Sequence, residues 1–148
     1  MSEEKHIRSF DEQLERLKQY CAYRERSVNE TRQKAMSLGL SETQIEQALE
    51  TLESVGFLDE ERFAFSYTRG HIIHNKWGKI KVRMGLRAAG VRSEHIEHAL
   101  ATSIEEEEYL EILNKVLESK RSKDRNQLIK FALQRGFEYE LIVEQLRR

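Results

Sequence analysis

The 148-residue sequence contains no proline. Proline breaks helix interiors, so the chain lacks the residue that most reliably interrupts a helical run. It has a single cysteine, Cys21, which excludes an intramolecular disulfide and a cysteine-based zinc site. No apolar run approaches the length that spans a bilayer, and Met1–Arg8 is too polar for a secretory signal. These absences lead us to expect a cytoplasmic protein with no membrane partner. The seven glycines are scattered and no Gly-Lys-Ser/Thr occurs, so there is no phosphate-cradling loop. Acid is also missing locally. Between Arg62 and Ser93 stand 8 basic residues and no Asp or Glu, although the chain carries 26 acids.

What is present favours helix. Charged residues make up 34% of the chain and are mostly Glu, Lys and Arg, which are good helix formers. No stretch alternates apolar and polar residues long enough to suggest a sheet. The expected class is all-α.

A repeat emerges from three glycines. Gly39, Gly90 and Gly136 each end a helical pattern and precede an apolar residue, Leu40, Val91 or Phe137, as at a left-handed helix C-terminus. Six residues past each glycine comes Ile45, Ile96 or Ile142, and ten past it Leu49, Leu100 or Leu146. Eight and four residues before them stand Thr31 and Ala35, Val82 and Leu86, and Leu128 and Ala132. These offsets share one helix face. Each unit has a further helix in front, with apolar stripes through Leu14, Leu17 and Cys21, through Phe63, Tyr67 and Ile72, and through Leu110, Leu113, Val116 and Leu117. Phe65 falls between the faces. Capping boxes are expected at Ser9…Glu12, Ser27…Glu30, Ser41…Gln44 and Ser103…Glu106, with single caps at Asp59 and Ser93. The spacing predicts helices over 10–25, 27–38, 41–55, 59–74, 77–89, 93–101, 104–121, 123–135 and 138–147. They group into three tandem three-helix repeats: 1–55 with an N-terminal extension, 56–102, and 103–148. One such unit buries little core alone, so neighbours must stack. The expected molecule is elongated, curved and solenoid-like.

The repeats differ in charge. Met1–Glu61 holds 8 basic and 14 acidic residues, the middle block none of the acids, and Glu94–Arg148 has 9 basic and 12 acidic. Lys79, Arg83 and Arg87 are spaced four apart and form one stripe on a helix. Lys76 and Lys81 flank it, and Arg69 approaches from the preceding helix. Val82, Leu86 and Ala89 form the opposing apolar stripe. Such a surface attracts phosphates or acidic protein through salt-sensitive forces; an ordinary solvated face is the plain alternative. Trp77 opens the same segment, either to stack on a base or anchor a protein contact, or to cap the core between helices. A second run, Lys115, Lys120, Arg121, Lys123, Arg125 and Lys130, is interrupted by Glu118 and Asp124. Glu105–Glu108 reads as a charged N-terminal helix turn. His71/His74 and His95/His98 are pairs at i, i+3, but lack the carboxylate spacing of familiar metal sites apart from Glu94 and Glu97. Cys21 sits on an apolar stripe as a small hydrophobe. We expect no metal, no cofactor and no catalytic residues.

The stretch from Gly56 to Ala64, Gly-Phe-Leu-Asp-Glu-Glu-Arg-Phe-Ala, together with Gly78-Lys-Ile-Lys-Val-Arg-Met-Gly-Leu-Arg-Ala-Ala-Gly90-Val91, resembles the middle repeat of the RecX family of RecA modulators. Arg26-Ser27…Glu30 resembles the family's opening to its second helix, and the likeness runs from about Phe10 to the C-terminus. Three positions depart from the family pattern: Lys79 stands where proline often follows the glycine, Gly85 where an acid is common, and Thr31 in place of an aliphatic residue. The resemblance implies tandem three-helix repeats that bind the groove of the RecA filament and restrain its ATPase, strand-exchange and coprotease activities in recombination, repair and the SOS response. It also implies weak, salt-sensitive DNA binding with little sequence preference. The expected contact residues are Arg69, Lys76, Trp77, Lys79, Lys81, Arg83 and Arg87, on a monomer. The alternatives are a helix-turn-helix-like protein that reads duplex DNA and a helical adaptor scaffold.

Overall fold

A computed structural model describes residues 8–148; the expected N-terminal extension, Met1–Ile7, lies outside the described residues. Nine helices and no strand occur among them. In order these are α1 (Phe10–Tyr23), α2 (Val28–Ser37), α3 (Glu42–Ser54), α4 (Glu60–Asn75), α5 (Lys79–Ala88), α6 (Ser93–Thr102), α7 (Glu106–Glu118), α8 (Arg125–Gln134) and α9 (Tyr139–Arg147). Every expected helix forms, with ends displaced by at most three residues.

Local chemistry explains most ends. The side chains of Ser9, Ser27 and Ser41 accept from the N–H groups of Glu12, Glu30 and Gln44 at 3.1, 3.0 and 3.2 Å, and each N3 side chain returns the bond. Asp59 Oδ1 accepts from Arg62 N–H at 2.9 Å. The box expected at Ser103 does not form: Ser103 ends α6 and Glu105 precedes α7. Ser93 lies inside α6, with Arg92 as its cap residue. Asp124 and Gln127 build an unanticipated box at α8. At the other ends, Leu40, Val91 and Phe137 donate back to the carbonyls of Ala35, Leu86 and Ala132 at 3.2, 3.1 and 3.1 Å. Gly56 repeats this device before Phe57.

The chain divides into two compact units, within α4, between Phe63 and Ala64. In the first, Leu17, Cys21, Ala35, Ile45, Ala48, Leu49, Leu52 and Leu58 form the core. Gln13 lashes α1 to the end of α2 by donating to Leu38 O at 2.7 Å. Thr31, the residue that departs from an aliphatic pattern, is fully buried and donates to Ser27 O at 2.9 Å. Its hydroxyl is thereby satisfied within its own helix. The second unit holds both the second and third helix triplets from Ala64 onward, with Ile72, Val82, Leu86, Ile96, Leu113, Phe137 and Ile142 among its most buried residues.

One joint organises that second unit. A helix start leaves N–H groups without intrahelical partners. At α5 these are taken by residues of the third triplet. Gly78 N–H donates to Arg135 O at 2.7 Å, Lys79 N–H to Tyr109 Oη at 2.9 Å, and Ile80 N–H to Gly136 O at 3.0 Å. The turn between α8 and α9 therefore sits against the start of α5. Only glycines allow it: a Cβ on Gly78 would lie 2.2 Å from the Gly136 carbonyl carbon, and one on Gly136 2.4 Å from Lys81 Cβ. Tyr109 Oη in turn donates to the Glu138 carboxylate, and its ring packs 5.4 Å from Phe137. Arg135 donates to the carbonyls of Asn75 and Lys76, which holds the turn before α5 with Lys76 at φ 55°.

Glycine substitutions should therefore act in opposite directions. Gly70, inside α4, has open space where a Cβ would stand, and Gly70→Ala should stabilise by about 0.5–1 kcal/mol. Gly78→Ala should destabilise by about 1–3 kcal/mol, an overpacking cost. Urea unfolding midpoints of the two variants check both signs.

Candidate partner-binding face of the fifth helix

A helix advances 100° per residue, and α5 uses its faces for different tasks. Val82 and Leu86 are fully buried. Roughly 120° of the opposite surface carries Arg87, Ile80, Met84, Ala88 and Lys81 in angular order. Ile80 is 40% exposed and Met84 65%. The outward face thus mixes two large apolar side chains with cations.

The seven expected contact residues fall into two groups. Four are engaged inside the unit. Arg69 donates to Ser103 O at 3.0 Å and to both Glu108 oxygens at 3.3 and 3.4 Å, tying α4 to the start of α7. Lys79 places its ammonium 4.8 Å from the Tyr109 ring centre. Arg83 forms a two-pronged bond to Glu97 on α6 at 2.9 and 3.0 Å. That pairing raises the Arg83 pKa and holds the Glu97 carboxyl below its ordinary value. Trp77 is stacked on His71, with ring centres 4.1 Å apart and planes inclined by 12°. Tyr67 packs on His71 at 4.2 Å, and Lys81 Nζ lies 4.6 Å from the Trp77 ring centre.

The other group is exposed. Lys76, Lys81 and Arg87 stand at the surface and make no ion pair with another described residue. The structure brings Lys81 and Arg87 onto one face of α5 and sets Lys76 in the turn just before it. It does not join Lys79, Arg83 and Arg87 into one open stripe, because tertiary partners claim the first two. Trp77 acts as packing between α4 and α5, and its indole is already occupied by His71 and Lys81.

Gly85 has a steric reason. A Cβ there would fall 2.0 Å from Tyr67 Oη, so the absent side chain lets the aromatic stack close onto α5. Burial pushes the Tyr67 hydroxyl pKa up. Sequence reading identified the cations of this face but missed Ile80 and Met84. The signal was available: with Val82 and Leu86 inward, residues two places earlier fall on the opposite side.

The position of α5 depends on Tyr109. Burial, then the Glu138 carboxylate, push its hydroxyl pKa far above the usual phenol range, so it stays protonated as both donor and acceptor. Tyr109→Phe leaves Lys79 N–H and Glu138 without their partner, and should cost about 1–3 kcal/mol. Denaturant unfolding, with helicity confirmed by circular dichroism, measures that loss.

Comparison with known proteins gives a consistent result. Residues 59–100 match the family model for the RecX second three-helix domain, a span that contains all of α5. The sequence is 32% identical over 126 residues to the regulatory protein RecX of Thermotoga petrophila, covering 85% of this chain and 77% of that one. It is 29% identical to the regulatory protein RecX of Clostridium acetobutylicum, covering 82% of this chain and 61% of that one. In fold it is similar to the crystal structure of RecX from Lactobacillus salivarius, with a TM-score of 0.80, 19% identity, and coverage of 93% and 94% of the two chains. A second RecX crystal structure superposes with a TM-score of 0.76 at 21% identity, covering 89% of this chain and 68% of that one. With a nine-helix fold of this kind and a relative at this identity across most of its length, the chain belongs to the RecX family of regulatory proteins.

Proposed function

We propose that this protein regulates the RecA recombinase by binding in the groove of its filament, and that it mostly restrains ATP hydrolysis, strand exchange and coprotease activity. The reading rests on family membership together with one observation, the outward face of α5. Exposed Ile80 and Met84 are bordered by Lys76, Lys81 and Arg87, none of which forms an ion pair with a described residue. Desolvated apolar anchors inside a charged rim suit a protein surface of opposite charge. Arg69, Lys79, Arg83 and Trp77 support the face by fixing α4, α6 and α7 around it. Occupying the groove would hinder strand entry and the subunit movements that accompany ATP turnover. The protein acts by binding and needs no cofactor.

The test is DNA-dependent ATP hydrolysis by the cognate RecA, measured against increasing regulator. Inhibition is expected. Replacing Ile80 and Met84 together by alanine should raise the half-inhibitory concentration by roughly tenfold, the scale of a central interface contact. Reversing Lys76, Lys81 and Arg87 to Glu should raise it most at low salt, because rim charges act through screened attraction. No change in hydrolysis at saturating wild-type protein would reject the reading. A preferred duplex sequence found by footprinting would favour a helix-turn-helix reader instead.

A further inference from the structure

The first unit carries a face opposite to α5 in charge. Glu42, Glu46, Glu50 and Glu53 recur along α3, and at 100° per residue they fall within about 80° of one another. All four are exposed. Glu46 is paired with Arg32 of α2, whereas Glu42, Glu50 and Glu53 form no ion pair with a described residue. The stripe has shape as well as charge. It edges a shallow groove of about 520 Å³ between α2 and α3, lined also by Val28, Arg32 and Leu49. On α2, Met36 follows Val28 and Arg32 at four-residue steps and so shares their side; it is 54% exposed.

The outward face of α5 has the reciprocal pattern. Ile80 and Met84 stand exposed, bordered by the unpaired Lys76, Lys81 and Arg87. Helix α5 is ten residues long, a length of about 15 Å that matches the roughly 16 Å from Glu42 to Glu53. Each face therefore offers the other opposite charge beside apolar surface.

We propose that the α5 face of one copy docks on the α2–α3 face of a second copy, so that the protein associates head to tail. A second copy is the occupant because one chain carries both halves of the match. Three unpaired cations flank two exposed apolar side chains on α5, and three unpaired acids flank an apolar-floored groove on the first unit. The contact joins unlike surfaces, so it extends into rows or rings of copies and does not close as a two-fold dimer. A contact made by one short helix buries less than the roughly 1,200 Å² of a standard interface. It is therefore weak, and its rim charges make it sensitive to salt. One consequence rests on the RecA reading: self-association covers the face that grips RecA, and the two partners compete for α5.

Sedimentation velocity of the full chain, from about 10 μM to about 1 mM and at low and high salt, tests the contact without RecA. The weight-average mass should rise with concentration at low salt and return toward that of the single chain at high salt. E50K/E53K alters two exposed residues and should weaken association at least about tenfold, as like charges then meet. K81E/R87E, also at exposed positions, should do the same. An equimolar mixture of the two variants should regain association, because every face then meets a complement. E107K/E111K changes net charge as E50K/E53K does, at exposed positions on α7, and should associate like the wild type. Circular dichroism melts check that each variant folds. A wild-type chain that stays single at the highest concentration and lowest salt would overturn the proposal, as would a mixture that fails to recover. Loss in K81E/R87E with none in E50K/E53K would overturn it in favour of two α5 helices meeting. Equal loss in E107K/E111K would reduce the effect to net charge and overturn it too. None of these results depends on inhibition of RecA, so the two readings fail separately.

Discussion

The second unit depends on three backbone N–H groups. Gly78, Lys79 and Ile80 would face water at the start of an isolated helix, yet here each donates to the third triplet. Unmade buried hydrogen bonds are expensive, so α5 and the turn between α8 and α9 hold each other in place. The carbonyls of Arg135 and Gly136, at the negative end of α8, meet the positive start of α5. Gly78 and Gly136 make the approach sterically possible. The Lys79 N–H that donates to Tyr109 is a group proline lacks. A lysine at this place, where the family pattern often has proline, is what lets Tyr109 bond to the backbone of α5.

This joint also decides which charges are available. Docking the third triplet brings Tyr109 under the Lys79 ammonium and sets Glu108 beside Arg69, while α6 presents Glu97 to Arg83. These partly exposed pairs contribute little to stability individually. Their larger effect is on the surface field, since Glu108 and Glu97 offset the charges of Arg69 and Arg83, which would otherwise attract a partner. The 32-residue block without acid is therefore less positive in the fold than in the sequence. What stays open is the outer side of α5.

Much of the architecture was legible because it is local. Ser9, Ser27 and Ser41 each carry Glu or Gln three residues on, and that chemistry starts a helix in any context. The glycine and apolar pairs at Gly39, Gly90 and Gly136 are equally local. Ser103 carried the same box pattern and was misread, because its carbonyl lies at the end of α6 and receives Arg69 from another helix. The site was legible only in part. Residue type and spacing marked Lys79 and Arg83 as cations, but their partners are 30 and 14 residues away in sequence. Trp77 was open to two readings for the same reason, since His71 and Lys81 become its neighbours only when α4 folds against α5.

The joint at Gly78 also bears on how the chain is made. Synthesis delivers the N-terminal portion first. The first unit has its whole core in hand once Leu58 and the start of α4 have emerged. The second unit has no such early finish. The start of α5 waits for Tyr109, Arg135 and Gly136 before its donors are satisfied, so more than fifty residues must be added after Gly78 before the joint can close. Until then the first N–H groups of α5 lack their partners. The start of α5 is thus among the last parts of the nascent chain to be secured, and a truncated product would carry the first unit without a finished second.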